Sequence, residues 1–553
     1  MKPLLLAAVA ALAATPAAAQ PAAPTLKVVI QPSAMSEAAG GTVEVTSTFD
    51  GVDVAPGAAL LTLGAGAPGM PTPQPVEAMA VADDEGPVAV TLSDDQGEYR
   101  WAAARRVHGR MTARYRLPID NRRGSNPPVA LHIDGDTFSA PGRMLLALPP
   151  KGAYRMSVRW DLTAMGPGAV GISSFGDGEA DAPVLPVARL AETAFGAGHF
   201  HREPEAPSAG FSALWGGEPP FDPRGLMQWT GRLHAWMSTF FKDEREPPYR
   251  VILRANPQNP GGGVAYYQAF VVGYGEGTTA EGLKSIFGHE MTHTWTAAGE
   301  EIGKWYNEGN AVYYQGLLPW RAGLISTDDY LANINRTASR YYTNPRKATP
   351  EAEVMPQFWE NTYVRVLPYD RGAMYFAVLD GKVRRASGGK RSIDDLIRTM
   401  VGLYRSGQPM TEQTWIDVLR KELGEEGVAV HRAMMAGGLM LPESGDFGPC
   451  FQRTTKKIRQ FDPGFDILSM VGPQKVLRGL KPGSEADKAG LRNGDRIVSA
   501  PLGDAVQADV TRTIQAKVIR DGKPLTFTYL PRGEAVDAYQ WERAPDAPRD
   551  LCR

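Results

Sequence analysis

Two histidines four residues apart, His289 and His293, have the type and spacing of metal ligands. Side chains at this spacing on a helix lie on one face, so both imidazoles can ligate one tetrahedral Zn²⁺. Glu290 lies between them in the sequence and points to their flank, where a carboxylate can act as general base on a water molecule. The spacing therefore predicts a hydrolytic zinc site with one Zn²⁺ per chain.

The third predicted metal ligand is Glu308, within the sequence WYNEG. It is the nearest carboxylate in a helical, inward-facing setting, because apolar periodicity continues through Ala311, Val312 and Gln315. Two histidines and one glutamate leave a fourth coordination position open, as a hydrolytic zinc requires. A short HExxH match also arises by chance, and the second helix with its carboxylate argues against that alternative.

The helix that must carry the two histidines is specified by its local sequence. Thr278 followed by Glu281 is a capping-box pattern for its start. Leu283, Ile286 and Phe287 then form an apolar stripe at helical spacing. We therefore expect a continuous helix from this cap through the histidine pair.

Strands and a glycine-rich loop precede this helix. A helix is predicted over 226–241, followed by strands over 250–254 and 264–272 with the loop 256–263 between them. A strand just before the zinc helix can line a cleft and pair with an extended peptide. The three glycines at 261–263 are equally compatible with a plain hairpin loop.

Changes of pattern along the chain predict a multidomain protein. Of its 553 residues, 43% are hydrophobic and 22% are charged, which is typical of globular domains. Short alternating stretches separated by Gly, Pro and Asp turns predict an N-terminal antiparallel β-domain over 20–190. An α/β catalytic subdomain is predicted over 195–300, a helical catalytic subdomain over 301–445, and a compact C-terminal β/α domain over 450–553.

Residues 1–19 have the pattern of a cleaved signal peptide, with one positive charge, a short apolar run and small residues at the end. We therefore expect a periplasmic or secreted protein. No later segment has the long apolar run of a stable membrane anchor. Lys and Arg total 59 against 61 Asp and Glu, a net charge of -2, so no basic field favours nucleic acid as a partner.

The chain has two cysteines, Cys450 and Cys552. In an oxidising compartment such a pair is predicted to form a disulfide, which would join the two ends of the last hundred or so residues. The alternative is a pair of free or buried thiols.

Four segments resemble the M61 family of metallopeptidases, the glycyl aminopeptidase group, which is related to the M1 aminopeptidases. They read HEMTHTW at 289–295, WYNEG at 305–309, LPYDRG at 367–372 and SGGKRSIDDL at 387–396. Both families are gluzincins, in which HExxH is followed by a downstream Glu within W-x-x-E-G. The resemblance covers roughly residues 195–540 and implies a thermolysin-like α/β plus helical zinc peptidase domain.

The resemblance also implies roles for individual residues. It places Zn²⁺ on His289, His293 and Glu308, in agreement with the chemistry above, and makes Glu290 the general base and later the general acid. Tyr369, in the LPYDRG segment, is implied to donate a hydrogen bond to the tetrahedral intermediate. By itself a Tyr after Pro is more often structural, so this catalytic role rests on the resemblance.

One segment departs from the family pattern. The family usually reads GGLEH where residues 262–266 read GGVAY, so Ala265 replaces the Glu that is a candidate for holding the substrate's α-ammonium. Gly262, Gly263, Val264 and Ala265 remain the predicted substrate-binding segment, for a peptide or protein substrate. Losing a charge-assisted bond costs roughly 1.5 to 3 kcal/mol, about one to two decades of preference for a free amino terminus. Aminopeptidase and endopeptidase cleavage both stay open.

The segment 464–497 looks like a PDZ domain, which M61 proteins commonly carry at this end. Gly464, Phe465, Asp466 and Ile467 are the predicted loop whose backbone N–H groups would bind the C-terminal carboxylate of a peptide ligand. The alternative is a domain that only packs on the catalytic unit. For the whole chain, the alternative to a zinc peptidase is a weak or inactive relative that captures peptides with a peptidase-like cleft and a PDZ domain.

Overall fold

The computed structural model describes residues 23–545 except 67–69, 71, 96, 124–127, 244–246, 258 and 471–474. The predicted signal peptide (residues 1–19) and Cys552 lie outside the described residues. A β-rich N-terminal region, a five-stranded sheet, a group of helices and a smaller C-terminal unit follow one another along the chain. None of the described helices combines the length and apolar character needed to cross a membrane.

Three sheets make up the N-terminal region. Its elements are β1 (Thr25–Pro32), β2 (Gly41–Val54), β3 (Ala59–Gly64), β4 (Glu77–Asp83), β5 (Gly86–Val88), β6 (Val90–Asp95), β7 (Glu98–Ala103), β8 (Val107–Ile119), β9 (His132–Asp134), β10 (Thr137–Pro141), α1 (Gly142–Leu145), β11 (Ala153–Trp160), β12 (Val170–Ser173), β13 (Gly176–Asp177), β14 (Ala180–Pro186), α2 (Val187–Ala191) and β15 (Ala194–Gly198). The sheet orders are β14-β11-β1-β2-β8-β4-β5, β13-β12-β15-β10-β9 and β3-β7-β6. Alternate side chains of the longest strands are buried, as expected for sheets with one face on a core.

The predicted β-rich N-terminal region is confirmed, with two differences. β1 and β11 pair in parallel, whereas the turn pattern predicts only antiparallel pairs. β15 pairs with β10 and β12, so the N-terminal sheets continue to Gly198, beyond the boundary predicted at residue 190. Both differences concern partners distant in the sequence, which strand patterns alone do not specify.

The next sheet, together with helices α3 and α4, positions the candidate site. Its elements are β16 (His201–Glu203), β17 (Phe211–Trp215), α3 (Pro223–Phe240), β18 (Tyr249–Ala255), β19 (Gly263–Tyr266), β20 (Ala269–Tyr274) and α4 (Ala280–Thr296). The strand order is β16-β17-β18-β20-β19, with β17, β18 and β20 parallel and β19 antiparallel at one edge. β18 and β20 are almost continuously buried because helices and the N-terminal region cover both faces.

The single strand predicted over 264–272 is in fact the hairpin of β19 and β20. Its turn contains Gln268, whose φ is +51°. Tyr267 and Gln268 are not typical turn residues, so the sequence gives no sign of this reversal. The hairpin leaves β19 paired only with β20 among the described strands, with its other edge open.

Seven helices follow in the described chain. They are α5 (Lys304–Arg321), α6 (Thr327–Tyr342), α7 (Val354–Gln357), α8 (Thr362–Arg365), α9 (Leu367–Ala386), α10 (Ile393–Arg405) and α11 (Glu412–Met435). Their buried side chains form one apolar core with α3, α4 and the inner face of the sheet. α9 is buried along most of its length, so it fixes the position of the helices around it.

The C-terminal unit (residues 450–545) contains β21 (Phe451–Phe461), α12 (Glu485–Ala489), β22 (Arg496–Ser499), α13 (Asp504–Ala508), β23 (Ile514–Arg520), β24 (Lys523–Tyr529) and β25 (Arg532–Arg543). β21 pairs with β25, and β22, β23 and β24 form a separate three-stranded sheet. Trp541 packs in the core of the helical region, whereas the smaller sheet has its own core. A β/α unit is therefore present, and its assignment as a PDZ domain stays a prediction.

Candidate metal centre

Helix α4 carries the HExxH residues and packs against β19 and β20. Its N-cap is Thr279, whose side chain accepts a hydrogen bond from the backbone N–H of Gly282. The predicted cap, Thr278, instead accepts from the N–H of Gly275 in the preceding turn. The helix begins one residue later than the capping pattern predicts, and the histidine spacing is unaffected.

The three predicted metal ligands meet in space. His289 Nε2 and His293 Nε2 are 3.2 Å apart, and Glu308 Oε2 lies 3.3 Å from the first and 3.5 Å from the second. Zinc bonds of 2.0 to 2.2 Å in a tetrahedron separate neighbouring ligand atoms by about 3.4 Å. The three atoms thus form a triangle of the size that one tetrahedral Zn²⁺ requires. Among the described residues, these three form the one such group of His, Cys, Asp and Glu.

A chain of polar side chains orients His289. Its Nδ1–H donates to Gln315 Oε1 at 3.2 Å, which leaves the Nε2 lone pair facing the triangle. The Gln315 amide donates to Asn333, and Asn333 donates to the Ser285 hydroxyl at 2.9 Å. This role of Gln315 was not predicted from the sequence, although its spacing of seven from Glu308 places both residues on one face of α5.

Glycines allow the ligand helices to approach closely. A Cβ at Gly288 would lie 2.5 Å from the carbonyl oxygen of Gln315, so α4 and α5 meet backbone to backbone there. A Cβ at Gly309 would lie 2.6 Å from Gly372 Cα, where α5 meets α9. Gly309 and Gly372 belong to the WYNEG and LPYDRG motifs, which explains the glycine in each.

Glu290 lies beside the triangle and is almost completely buried. Burial raises the pKa of its carboxyl to about 7; the Glu308 carboxylate acts in the same direction, and His289 and a backbone hydrogen bond with Ala265 oppose it. A Cβ at Gly263 would lie 2.8 Å from Glu290 Oε1, so β19 passes directly over this carboxylate. A general base at this position would act between the metal ligands and the edge strand.

Glu308 has the opposite electrostatic setting. Burial opposes its ionisation, but its hydrogen bonds and charge interactions with His289 and His293 outweigh burial and hold its pKa well below the usual range. The Glu308 carboxyl is therefore held ionised, whereas the pKa of its neighbour Glu290 lies close to neutral pH. This divergence is typical of paired carboxyls with different chemical tasks.

Tyr369 lies next to His289 in the candidate site. It lies in the first turn of α9, and its ring stacks beside the His289 imidazole at 6.1 Å between centroids and 19° between planes. Burial, with the charges of Glu308 and Asp504, raises its pKa well above the usual value. The phenol therefore stays protonated and able to donate a hydrogen bond.

The predicted substrate segment follows the open edge of the sheet. Gly263, Val264 and Ala265 lie in β19 and are partly exposed, and Gly262 precedes the strand. Because successive side chains alternate, Ala265 lies on the same face of β19 as Gly263, towards α4. Tyr266 lies on the other face and donates its hydroxyl to the carbonyl of Pro128 in the N-terminal region.

The predicted carboxylate-binding loop of the C-terminal unit uses part of its backbone internally. Gly464 donates its N–H to Asp462, and Asp466 donates to the carbonyl of Arg478. Phe465 is buried in the core of the smaller sheet, and Ile467 packs against that core. Peptide binding by Gly464 to Ile467 therefore stays a prediction, with two of its four N–H groups already committed to the chain.

Cys450 is buried and disulfide-bonded. Its predicted partner, Cys552, lies outside the described residues.

Comparisons with known proteins agree with this site. Residues 283–374 match the family model of the M61 glycyl aminopeptidases, a range that includes HExxH, WYNEG and LPYDRG. The match supports a metallopeptidase. No curated protein matches the sequence significantly.

Solved structures share the fold at low sequence identity. The chain is similar to an aminopeptidase N family protein from Idiomarina loihiensis, with a TM-score of 0.67, 14% identity and coverage of 96% of this chain and 99% of that one. An M1 zinc metallopeptidase from Deinococcus radiodurans, bound to a Tyr-Ser-Ala substrate, matches with a TM-score of 0.48 and 15% identity, covering 76% of this chain and 96% of that one. The conclusion about the fold rests on the first match.

Proposed function

We propose that this protein is a zinc peptidase that hydrolyses peptide bonds. The observation that carries the proposal is the triangle of His289, His293 and Glu308, whose 3.2, 3.3 and 3.5 Å edges fit one tetrahedral Zn²⁺. Its donor set, two imidazoles and one carboxylate, is typical of hydrolytic zinc sites. The family match over 283–374 supports the same class of enzyme.

Bound Zn²⁺ would supply Lewis acidity, polarising the substrate carbonyl and lowering the pKa of water. Glu290 would accept the proton of the attacking water and later deliver it to the leaving amine, a role that its pKa of about 7 suits. The Tyr369 phenol would donate a hydrogen bond to the developing oxyanion. The open edge of β19 would pair with an extended peptide and present its carbonyl to these groups.

The position of cleavage along the peptide should depend on β19, the strand proposed to pair with the substrate. Ala265 carries no charge to hold a substrate ammonium, so we propose a peptidase without a strict requirement for a free amino terminus. Mass-spectrometric profiling of a mixed peptide library tests this. Internal cuts support the proposal, and cuts confined to the first peptide bond contradict it.

Glu290→Gln tests the proposed mechanism. The substitution keeps the shape of the side chain but removes its ability to accept a proton, so kcat should fall by about 10²- to 10⁴-fold. Zinc content should stay at one per chain, because Glu290 is not a ligand. His293→Ala serves as a matched comparison that should lose both zinc and activity. Near-normal turnover by Glu290→Gln would rule out the mechanism.

Export to the periplasm or the medium is also proposed, on the pattern of residues 1–19. Expression of the full chain, followed by fractionation and amino-terminal sequencing, tests it. Cleavage after Ala19 in an exported product is expected. A cytoplasmic product that retains Met1 or Lys2 contradicts export.

A peptide-binding protein that does not cut is the second candidate, and Ala265 is the observation that favours it. It requires zinc at one per chain together with retention of intact peptides. The profiling experiment separates the two candidates, because binding without any cleavage product supports capture alone.

A further inference from the structure

Helix α13 of the C-terminal unit contacts helices α6 and α8, which lead to the first turn of α9 and Tyr369. Asp504 Oδ1 accepts a hydrogen bond from Arg365 at 2.5 Å, and the Asp504 carbonyl accepts one from Arg340 at 3.3 Å. Gln507 donates its side-chain amide to the Thr362 hydroxyl. These contacts join α13 to α6 and α8.

The other side of α13 is held by its own unit. Arg532, at the start of β25, is 2% exposed and donates Nη2 to the carbonyls of Val506 at 2.5 Å and Asp509 at 2.6 Å. Guanidinium groups with several carbonyl acceptors hold backbone segments in a fixed relative position. Arg532 therefore fixes the position of α13 relative to the long β21–β25 pair.

Arg340 connects α13 to the residue next to Tyr369. Its Nε and Nη2 donate to the two carboxylate oxygens of Asp370 at 2.7 and 2.6 Å, and its third nitrogen reaches the Asp504 carbonyl. Asp370 is fully buried in the first turn of α9. A bidentate pair restricts the orientation of both partners. The contacts thus run without interruption from Asp504 through Arg340 and Asp370 to the peptide that carries Tyr369.

We propose that helix α13 supports the catalytic site, with Asp504 and Arg340 as positioning residues that hold Tyr369 beside His289. The inference rests on the proposed peptidase function. It gives the C-terminal unit a role in the chemical step, in addition to any role in recruiting a ligand. A unit that only recruits substrate predicts changes in KM alone.

Steady-state kinetics of Asp504→Ala in the full chain test the proposal. The substitution removes the ion pair with Arg365, two residues before α9, and leaves the contact of Arg340 with the Asp504 backbone carbonyl in place. Loss of the ion pair should loosen the first turn of α9, and kcat should fall about tenfold with KM within about twofold. Asp504→Glu keeps the charge and should recover most of kcat. Asp537→Ala, which breaks the exposed Lys457–Asp537 pair elsewhere in the same unit, is the control and should match the parent chain. An unchanged kcat for Asp504→Ala, or a change in KM alone, overturns the proposal.

A double-mutant cycle separates positioning of Tyr369 from general destabilisation. In a Tyr369→Phe background the hydroxyl to be positioned is absent, so Asp504→Ala should cause no further loss of kcat. The same tenfold loss in both backgrounds overturns the proposal.

Hydrogen exchange provides a readout that needs no substrate. Amides of residues 367–374 should exchange faster in Asp504→Ala than in the parent chain or in Asp537→Ala. A parent chain that hydrolyses no peptide defeats the proposed function, whereas equal exchange in the three proteins defeats the positioning role. The two failures are therefore distinguishable.

Discussion

The helical wall of the candidate site, formed by α4, α5 and α9, is packed backbone against backbone: added carbons at Gly288 and Gly309 would lie 2.5 and 2.6 Å from the neighbouring helices. The strand wall of the site is formed by β19. This strand has one strand neighbour, its four residues are partly exposed, and Gly263 lies against Glu290. The proposed metal ligands are thus held by packing that excludes even one methyl group. Positions in the proposed substrate segment, such as Ala265, are less tightly constrained and can differ while His289, His293 and Glu308 stay in place.

Gly263→Ala probes a point where β19 lies directly against Glu290 of α4, and it should have the largest effect. The added methyl would lie 2.8 Å from Glu290 Oε1 and displace the base, so kcat should fall about 100-fold. Zinc content should be unchanged. Gly402→Ala in α10, where nothing lies within 4 Å of the added carbon, is the control and should retain full activity. Loss of zinc from Gly263→Ala would show that the walls are not independent.

Gln315→Ala removes the side chain that orients His289 in the helical wall. Loss of the hydrogen bond to Nδ1 should lower zinc affinity by about 10- to 100-fold, because the ring is no longer held in the binding orientation. Competition with a chelator measures the affinity, and activity at saturating zinc should stay within a few-fold of the parent. Asn333→Ala, one contact further away, should have a smaller effect. Equal zinc affinity in the parent and Gln315→Ala would contradict this role.

Ala265→Glu changes the strand wall alone and should have the smallest effect. A carboxylate on the α4 face of β19 should increase the preference for free over acetylated amino termini by about tenfold. Ratios of kcat/KM for the two peptide types measure this preference. Ala265→Gln adds similar volume without charge and should leave the ratio unchanged. An equal shift with Gln would assign the effect to volume.

The same contrast appears in what sequence reasoning could predict. The His289–His293 pair follows from the geometry of one helix, so the sequence alone was sufficient to propose it. The β-rich N-terminal region was also predicted, because alternation and turn residues are local signals. The β19–β20 hairpin was not, because its reversal at Gln268 uses residues that rarely make turns.

Contacts between distant residues account for the rest of the differences. The Thr278–Glu281 pattern predicted the wrong cap, because the Thr278 hydroxyl accepts a hydrogen bond from Gly275 in the preceding turn and Thr279 caps the helix. Gln315 could have been found from its seven-residue spacing to Glu308, but Arg340 carries no local sign of its contact with Asp370. The PDZ-like pattern predicted a β/α unit at the C-terminus without indicating that α13 contacts α6 and α8.

The sequence by itself determined the residue types on which the proposed chemistry depends: two imidazoles one helical turn apart, a carboxylate between them and a glutamate on the next helix, with alanine in the proposed substrate segment. These features depend on residue type and on spacing within single elements, which backbone geometry sets locally. Only the tertiary structure decided that Glu308 completes the triangle, that Gly263 passes over Glu290, and that α13 contacts Arg340 and Arg365. Those contacts join residues far apart in the chain, and they arise when buried surfaces pack without room for an added carbon.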